Sequence, residues 1–331
     1  MKRALIIGIS GQDGAYLSKL LLDKGYEVYG ASRDAEITSF KALRRLDSLD
    51  KVQLSSMSLT DFRSILQVLT RTQPDEVYNL AGQSSVGLSF QQPVETIESI
   101  AVGTLNLLEA LRFLARPIRF YNAGSVECFG DTHEVIDEHS PLRPISPYGV
   151  AKTAAFWEVA NYRQAYGLFA CSGMLSNHES PLRPERFVTR KIVAAACRIA
   201  RGSTETLSLG NIGIVRDWGW APEYVAAMWL MLQRDEPQDY VIGTGMSYTL
   251  REFVEHSFKN LGLDCRNHIQ IRPELQRPSE IFQSRIDPSK ARIELGWQAE
   301  STMPDVVRMM VADELGSPTE PEQPVVVPAI A

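Results

Sequence analysis

The chain has 331 residues, of which 44% are hydrophobic and 22% are charged, and its net charge is −6. This length and composition allow a full hydrophobic core and exclude disordered, fibrous and disulfide-scaffold proteins. No cluster of Lys or Arg offsets the negative charge, so we expect no nucleic-acid partner.

Apolar stretches in the chain are short and interrupted by charge, so no membrane partner is expected. The amino terminus runs directly into a strand pattern, which leaves no room for a signal peptide. The four cysteines, Cys128, Cys171, Cys197 and Cys265, form no CxxC pair and no metal-ligand spacing with His, so no metal is expected. Together these features predict a soluble, cytoplasmic protein.

Short apolar runs alternate with amphipathic segments along the first half of the chain. Runs rich in Val, Ile and Tyr predict strands buried on both faces, and apolar residues at three- and four-residue spacing predict helices. The predicted elements are strand Arg3–Ile7, helix Ala15–Lys24, strands Glu27–Ala31 and Val52–Ser55, helix Asp61–Arg71, strand Glu76–Ala81, helix Val94–Phe113 and strand Arg119–Ser125. This alternation predicts an α/β fold with a Rossmann-type doubly wound parallel sheet.

From about Asn177 the predicted strands become fewer and the connections longer. The predicted elements there are helix Phe187–Arg201, strand Thr206–Leu209, helix Glu223–Gln233, strand Tyr240–Ile242, and helices Leu250–Leu261 and Pro304–Leu315. We therefore predict a Rossmann domain over residues 1–176 and a smaller C-terminal α/β substrate lobe over residues 177–315, with some segments returning to the Rossmann sheet. Residues 316–324 are proline-spaced and acidic, and we predict that residues 316–331 form a flexible tail.

The first predicted strand ends in a GxxGxxG spacing formed by Gly8, Gly11 and Gly14. Glycines at such positions allow a tight turn and a close approach of the backbone to a pyrophosphate, while the following helix directs its first N–H groups at the phosphates. The spacing lies between a strand and a helix at the start of a βαβ unit, and this context predicts a dinucleotide-binding loop that includes Gln12 and Asp13.

The second predicted strand leads into Ser32-Arg33-Asp34. At this place an Arg meets the extra phosphate of NADP, whereas an acid binds the ribose of NAD. Both residue types are present here. We favour NADP through Arg33, with NAD through Asp34 as the alternative.

Tyr148 and Lys152 lie four residues apart, and Pro147 before them is typical of a helix start, so the two side chains are predicted to share one helix face. A free phenol has a pKa of roughly 10, which makes it a poor base at neutral pH. A nearby ammonium favours the phenolate. The pair is therefore predicted to act as a catalytic base and its supporting cation.

The fifth predicted strand continues into Ser125-Val126-Glu127. Alternation along a strand predicts that Ser125 and Glu127 project to the same side while Val126 points away. Ligands bind at the carboxyl ends of the strands in such sheets. We therefore expect a hydroxyl and a carboxyl to face the same pocket as Tyr148.

With these motifs the chain resembles the extended short-chain dehydrogenase/reductases and, within them, the GDP-mannose 4,6-dehydratase family. The resemblance extends from about Arg3 to Ala312. Besides the glycine loop and the Tyr–Lys pair, it rests on the runs Asn177-His178-Glu179-Ser180-Pro181, Phe187-Val188-Thr189-Arg190-Lys191 and Arg216-Asp217-Trp218-Gly219.

The resemblance implies three sets of site residues. The catalytic set falls on Ser125, Glu127, Tyr148 and Lys152. Further contacts to the cofactor fall on Ser58, Leu59, Leu80, Ala81, Ser84, His178 and Arg183. Contacts to the nucleotide sugar fall on Ser85, Asn177, Val188, Lys191, Gly210, Arg216, Arg277 and Glu280. The planar guanidinium group of an arginine matches two oxygens of a diphosphate, which gives a physical reason for Arg216 and Arg277 in the nucleotide-sugar set.

The resemblance also implies the reaction, in which GDP-mannose loses water and becomes GDP-4-keto-6-deoxymannose by internal hydride transfer. It further implies a homodimer or homotetramer. The alternatives are a nucleotide-sugar epimerase or 4-keto reductase of the same superfamily, and a dinucleotide-binding protein without catalysis. The acid at Glu127 favours the dehydratase over the first alternative, and the presence of both Tyr148 and Lys152 argues against the second.

Overall fold

Strands and helices alternate along the chain in the computed structural model, which describes residues 1–316. The strands are β1 (Arg3–Ile7), β2 (Glu27–Ser32), β3 (Gln53–Ser56), β4 (Glu76–Asn79), β5 (Arg119–Ala123), β6 (Val135–Ile136), β7 (Ala170–Leu175), β8 (Asn177–Glu179), β9 (Leu207–Leu209), β10 (Val215–Trp220), β11 (Tyr240–Ile242), β12 (Ser247–Thr249), β13 (Ile269–Ile271) and β14 (Arg285–Ile286). The helices are α1 (Gln12–Asp23), α2 (Lys41–Arg45), α3 (Phe62–Thr72), α4 (Val86–Ser89), α5 (Pro93–Ile97), α6 (Gly103–Leu114), α7 (Pro147–Tyr166), α8 (Val188–Ala200), α9 (Ala221–Met231), α10 (Leu250–Lys259), α11 (Ser289–Leu295) and α12 (Met303–Glu314). The predicted tail lies outside the described residues, apart from its first residue.

Seven strands form one sheet in the order β11–β7–β5–β4–β1–β2–β3. Strand β1 pairs in parallel with β2 and β4, and the pairs β2–β3, β4–β5 and β5–β7 are parallel as well. The strand order reverses at β1, so the helical connections run outward in both directions from it. This is a doubly wound, Rossmann-type sheet, and it confirms the predicted fold class. In such sheets the carboxyl ends of the strands beside the reversal point are the usual ligand-binding edge.

The sheet is covered by helices whose apolar residues recur at helical spacing. In α3, the Asp61 side chain caps the first turn by accepting hydrogen bonds from the backbone N–H groups of Arg63 and Ser64. The buried residues Ile65 and Leu69 then lie on one face and pack in the same core as Val77 of β4. An amphipathic face of this kind is what fixes a helix on a sheet.

The chain divides into two units, each with its own core. The first unit consists of Met1–Phe129, Leu142–Leu175 and Val225–Tyr240, and it holds most of the seven-stranded sheet. The second unit consists of Gly130–Pro141, Ser176–Tyr224 and the chain from Val241 onward. It contains a three-stranded sheet in the order β12–β10–β8 and the strand pairs β13–β9 and β14–β6. Its core packs side chains of α8, α10 and α12 against Trp218 of β10.

Two parts of the sheet region differ from the prediction. Strand β7 is missing from the predicted strands because it begins with Ala170-Cys171-Ser172-Gly173, which contains none of the β-branched and aromatic residues that are enriched in strands. The single helix predicted over Val94–Phe113 consists of α5, a π-helical turn at Glu98–Val102, and α6. Apolar residues at three- and four-residue spacing indicate a helix on both sides of such a turn, so the spacing alone predicts one continuous helix.

Within residues 1–316, no helix is long and apolar enough to cross a membrane. In the same part of the chain, no group of three His, Cys, Asp or Glu side chains is arranged to hold a metal ion. All four cysteines are buried and free of disulfides.

Glu76, at the start of β4, is a fully buried carboxylate with several donors. It accepts hydrogen bonds from the Tyr26 hydroxyl at 3.1 Å, the Tyr78 hydroxyl at 2.8 Å, Lys2 Nζ at 3.0 Å and Gln233 Nε2 at 3.1 Å. Glu76→Ala would leave these donors without their acceptor, so we expect the free energy of unfolding to fall by about 2–4 kcal/mol. Urea unfolding measures the loss. Glu134→Ala, at an exposed glutamate, should change it by less than about 0.5 kcal/mol, and equal midpoints for the two variants would contradict the prediction.

Candidate active site

The turn between β1 and α1 brings backbone against backbone at two glycines. Gly8 has a φ of 86°, and a Cβ there would lie 3.0 Å from the Leu80 carbonyl oxygen and from the Ala81 nitrogen. Gly14 lies in the first turn of α1, where a Cβ would lie 2.5 Å from the Gly8 carbonyl oxygen. A side chain at either position would therefore push the turn apart. The Gly11 N–H closes the turn by donating to the Gly8 carbonyl oxygen at 3.1 Å.

Helix α1 begins immediately after this turn, and its N-cap residue, Gly11, has no side chain that could cap the first turn. The first N–H groups of a helix have no partner within the helix, and together with the helix dipole they bind phosphate groups. The tight turn without side chains at Gly8 and Gly14, followed directly by a helix N-terminus, fits the pyrophosphate of a dinucleotide. Of the residues predicted here, Gly8 and Gly11 lie in the turn between β1 and α1, and Gln12, Asp13 and Gly14 lie in the first turn of α1.

The other cofactor residues predicted in the first unit follow the carboxyl ends of β2, β3 and β4. Arg33 follows β2, is 87% exposed at its side chain, and lies 3.5 Å from Glu95. Ser58 and Leu59 follow β3, and the Leu59 carbonyl accepts a hydrogen bond from Asn106 of α6 at 2.7 Å. Leu80 and Ala81 are packed against Gly8 as described above. Two serines lie between β4 and α4: Ser84 is exposed, and Ser85 caps α4.

Strand β5 ends at Ala123, two residues before the predicted end, and Val126–Phe129 form a 3-10 helix. The prediction that Ser125 and Glu127 project from one face of a strand is therefore wrong. The cause is local hydrogen bonding, because the Ser125 hydroxyl accepts from the Glu127 N–H at 3.2 Å and the Ser125 carbonyl accepts from the Cys128 N–H at 3.2 Å. Serine side chains that bond the following backbone favour such turns over a continuing strand.

Helix α7 begins where the sequence predicts it. The Ser146 hydroxyl accepts from the Gly149 N–H at 3.0 Å and caps the helix, and Pro147 occupies the first turn. Tyr148 and Lys152 are both buried in this helix, one turn apart. They therefore present their side chains on one face, as predicted.

Two contacts join α7 to the end of β5. Lys152 Nζ donates to the Ala123 carbonyl oxygen at 2.6 Å and lies 5.8 Å from the centroid of the Tyr148 ring. A Cβ at Gly149 would lie 2.8 Å from the Glu127 carbonyl oxygen, so the start of α7 packs directly on the 3-10 helix. The first unit thus brings together the four residues of the predicted catalytic set, which are Ser125, Glu127, Tyr148 and Lys152.

The buried position of Lys152 changes its acidity. Burial lowers the pKa of the Lys152 ammonium from its ordinary value to about 8. An ammonium with this pKa is still mostly charged at neutral pH. It can therefore favour the phenolate form of a tyrosine on the same helix face.

In the second unit, two arginines predicted to bind the substrate converge on one carboxylate. Arg216 Nη2 lies 3.1 Å from Glu280 Oε1, and Arg277 Nη1 lies 3.3 Å from the same oxygen. Arg216 is almost fully buried in β10. Arg277 and Glu280 line a cavity of about 360 Å³, together with Asn211, Phe282 and the other residues of 276–280. The arrangement places two guanidinium groups side by side, which suits a diphosphate.

The remaining predicted residues of the second unit lie on β8, on α8, in the segment between these two elements, and directly after β9. Lys191 Nζ donates to the Ser208 carbonyl oxygen at 2.7 Å, Val188 is the first residue of α8, and Gly210 directly follows β9. Asn177 pairs with Trp218 across the β8–β10 ladder. The Arg183 guanidinium lies 3.9 Å from the centroid of the Phe187 ring, and its Nε lies 3.2 Å from the buried carboxylate of Glu179.

His178 has neighbours that the sequence reasoning missed. Its Nδ1 lies 2.8 Å from the Ser176 carbonyl oxygen, and its ring stacks on Tyr224 with a centroid distance of 4.6 Å. The available signal was Gly219, a glycine inside a strand pattern, which marks a close approach of another group. Neither Ser176 nor Tyr224 lies in a sequence motif that would have indicated its position beside His178.

Comparison with known proteins agrees with the predicted resemblance. A family described as GDP-mannose 4,6 dehydratase matches residues 5–310 of this chain. GDP-mannose 4,6 dehydratase 1 of Arabidopsis thaliana is 45% identical over 324 residues, which cover 95% of this chain and 90% of that protein. GDP-mannose 4,6-dehydratase of Vibrio cholerae serotype O1 is 42% identical over 352 residues, which cover 95% of this chain and 94% of that protein.

A solved structure shares the fold. UDP-glucose 4-epimerase of Thermus thermophilus, solved as a complex with NAD, superimposes with a TM-score of 0.83 at 27% identity, covering 95% of this chain and 99% of that one. The fold is therefore common to epimerases, whereas the match along the sequence is to the dehydratases. The match over residues 5–310 and identities above 40% to curated relatives place this chain in the GDP-mannose 4,6-dehydratase family.

Proposed function

We propose that this chain is a hydro-lyase that removes water from GDP-mannose and produces GDP-4-keto-6-deoxymannose. One observation carries the proposal: a glutamate, Glu127, lies on the 3-10 helix that packs against the start of the helix carrying Tyr148 and Lys152. A tyrosine–lysine pair alone supports hydride transfer, whereas elimination of water also needs a group that exchanges a proton. Family membership supports the same reaction and substrate.

A nicotinamide dinucleotide bound at the glycine turn would accept hydride from C4 of the sugar and return it to C6. The backbone of residues 8–14 would hold its pyrophosphate. The chain's own groups handle the protons and the charge.

Tyr148 takes the proton of the C4 hydroxyl as C4 is oxidised, with the Lys152 ammonium favouring the phenolate and the Ser125 hydroxyl polarising the oxygen. The new C4 carbonyl makes the C5–H bond acidic. Glu127 removes the C5 proton and then, as the carboxylic acid, protonates the C6 hydroxyl, which leaves as water. The hydride that left C4 ends on C6, and the proton that Tyr148 took from the C4 hydroxyl balances the proton returned to C5. The net change is therefore the loss of one water.

In the second unit, Arg216 and Arg277 are proposed to hold the diphosphate of the substrate. Both guanidinium groups already lie beside Glu280 Oε1, so they are oriented toward one oxygen-bearing group. The planar fork of Arg matches two oxygens of a phosphate at once.

We infer that NADP is preferred over NAD. The pair between Arg33 and Glu95 is exposed and 3.5 Å long, which makes it a weak pair that a phosphate can replace. Arg33→Ala should weaken NADP binding by about 10- to 150-fold and leave NAD binding unchanged, since a charge-assisted hydrogen bond contributes about 1.5–3 kcal/mol. Fluorescence titration of both cofactors checks this, with the exposed Arg116→Ala as the matched control. Tighter binding of NAD by the unmodified protein would assign selectivity to Asp34.

The lowered pKa of Lys152 predicts an alkaline limit to activity. The ammonium is charged below a pH of about 8, and above it the neutral amine no longer favours the phenolate of Tyr148. We therefore expect kcat/KM to fall above that pH. Lys152→Arg should be slower but should move the fall to higher pH, because a guanidinium has a pKa above about 12. Rates measured across the neutral and alkaline range check this, and an alkaline limb at the same pH in both enzymes would contradict it.

We also propose a homodimer or homotetramer in the cytoplasm. Exposed apolar side chains on adjacent helices support an assembly, namely Val94 on α5, Leu105 on α6, and Val150 and Trp157 on α7. The four buried, free cysteines favour a reducing compartment.

Incubation of the purified protein with a panel of nucleotide sugars tests the proposed function. GDP-mannose should give a product lighter by one water, with a catalytic amount of oxidised nicotinamide cofactor sufficient. An epimerase would instead give an isomer of unchanged mass, and a 4-keto reductase would consume reduced cofactor. Equal turnover of UDP-glucose or dTDP-glucose would show that the substrate assignment is wrong.

A further inference from the structure

His178 is held in one orientation by its neighbours in the second unit. The Ser176 carbonyl oxygen lies 2.8 Å from Nδ1 and can only accept, so Nδ1 carries the proton of this hydrogen bond. A hydrogen bond at one ring nitrogen sets the role and the direction of the other. The Tyr224 ring restricts the imidazole further, because the two rings stack with a centroid distance of 4.6 Å and an interplanar angle of 23°.

Tyr224 is itself anchored by a buried chain of hydrogen bonds. Its hydroxyl lies 2.7 Å from the Ser176 hydroxyl, which donates to Asp217 Oδ1 at 3.2 Å. The Asp217 carboxylate is fixed by the N–H groups of Thr244 at 3.1 Å and Gly245 at 2.8 Å. Burial raises the pKa of Asp217 to about 6, so at neutral pH the carboxylate is ionised and only accepts. The direction of the chain is therefore Tyr224 to Ser176 to Asp217.

The backbone opposite His178 makes room for this arrangement. Gly219 faces His178 across the β8–β10 ladder, and a Cβ at Gly219 would overlap the Tyr224 ring. Tyr224 is completely buried, as expected for a ring that occupies the space of a missing side chain. Ser176 therefore takes part twice, since its carbonyl holds the imidazole and its hydroxyl holds the ring that stacks on it.

We propose that Tyr224 is a positioning residue that, through Ser176 and Asp217, orients His178 for contact with the nicotinamide cofactor. The inference rests on the proposed function, which includes a bound nicotinamide cofactor, and on the contact of His178 with that cofactor that the family resemblance implies. Tyr224 does not touch the reacting atoms. It acts by limiting the rotation of the imidazole, which lowers the entropy that the side chain would lose on binding.

A double-mutant cycle on cofactor binding tests the proposal. The dissociation constant of the oxidised cofactor is measured by titration calorimetry for the unmodified protein, Tyr224→Phe, His178→Ala and the double variant. Because the effect of Tyr224 passes through His178, we expect His178→Ala to weaken binding by about 10-fold and Tyr224→Phe by about 5-fold, with less than about 2-fold further loss in the double variant. Tyr78→Phe is the matched control, since Tyr78 is also fully buried and donates its hydroxyl to a carboxylate, that of Glu76.

The outcomes distinguish the role of Tyr224 from the contact of His178 with the cofactor. If His178→Ala weakens binding and Tyr224→Phe adds its full effect in the double variant, Tyr224 has only a structural role and the inference is overturned. If His178→Ala leaves binding unchanged, the predicted contact itself is wrong. A second measurement does not depend on cofactor binding. In ¹⁵N NMR of the unmodified protein, we expect His178 to be protonated at Nδ1. The signals of His178 are assigned by their absence in the spectrum of His178→Ala. Protonation at Nε2 alone would also overturn the inference.

Discussion

Glu127→Gln is expected to stop the loss of water while leaving the oxidation at C4 intact. The amide keeps the shape of the carboxyl group and its place on the 3-10 helix, but it cannot take the C5 proton or deliver one to the C6 hydroxyl. Proton transfer by a positioned side chain contributes about 10²–10⁴-fold to a rate, so the dehydration rate should fall by about that factor. The variant should still bind GDP-mannose and should accumulate reduced nicotinamide, seen by its absorbance.

The control for this variant is Glu134→Gln, at an exposed glutamate a few residues further along the chain. It should dehydrate at the unmodified rate. Dehydration by Glu127→Gln at a rate close to that of the control would remove Glu127 from the mechanism. It would also remove the main argument for a dehydratase over an epimerase or a reductase.

Tyr148→Phe is expected to block the reaction one step earlier. The phenyl ring fills the same buried space, but no group then takes the proton of the C4 hydroxyl, so oxidation at C4 should slow by about 10²–10⁴-fold. The nicotinamide should remain oxidised when substrate is added, unlike in Glu127→Gln. Stopped-flow absorbance after mixing with GDP-mannose distinguishes the two variants. A rise in absorbance as fast in Tyr148→Phe as in the unmodified protein would exclude Tyr148 as the base.

The parts of the fold that the sequence predicts are those governed by local patterns. Strands β1, β2 and β4 are short apolar runs, and helix α7 begins with Ser146 and Pro147, whose preferences for helix starts do not depend on distant residues. Strand β7 is missed because its first residues are small, and it is held in the sheet by pairing with β5. That pairing depends on tertiary structure, which local propensity does not describe.

The same division applies to the candidate site. The spacing of Tyr148 and Lys152 predicts a shared helix face because helical geometry is regular. The end of β5 is predicted wrongly, because whether Ser125 continues a strand or bonds the N–H of Glu127 is decided by one side-chain hydrogen bond. The stacking of Tyr224 on His178 is not predictable from local patterns, since it depends on the pairing of β8 with β10, which places His178 opposite Gly219.

The most direct test of internal hydride transfer and dehydration uses GDP-mannose that carries deuterium at C4 of the mannose. If this chain acts as proposed, the product is a 4-keto-6-deoxy sugar that has lost one water and carries the deuterium at C6, as read by mass spectrometry and NMR. Deuterium recovered at C4 of an isomeric sugar, or released from the sugar with no loss of water, would contradict the account.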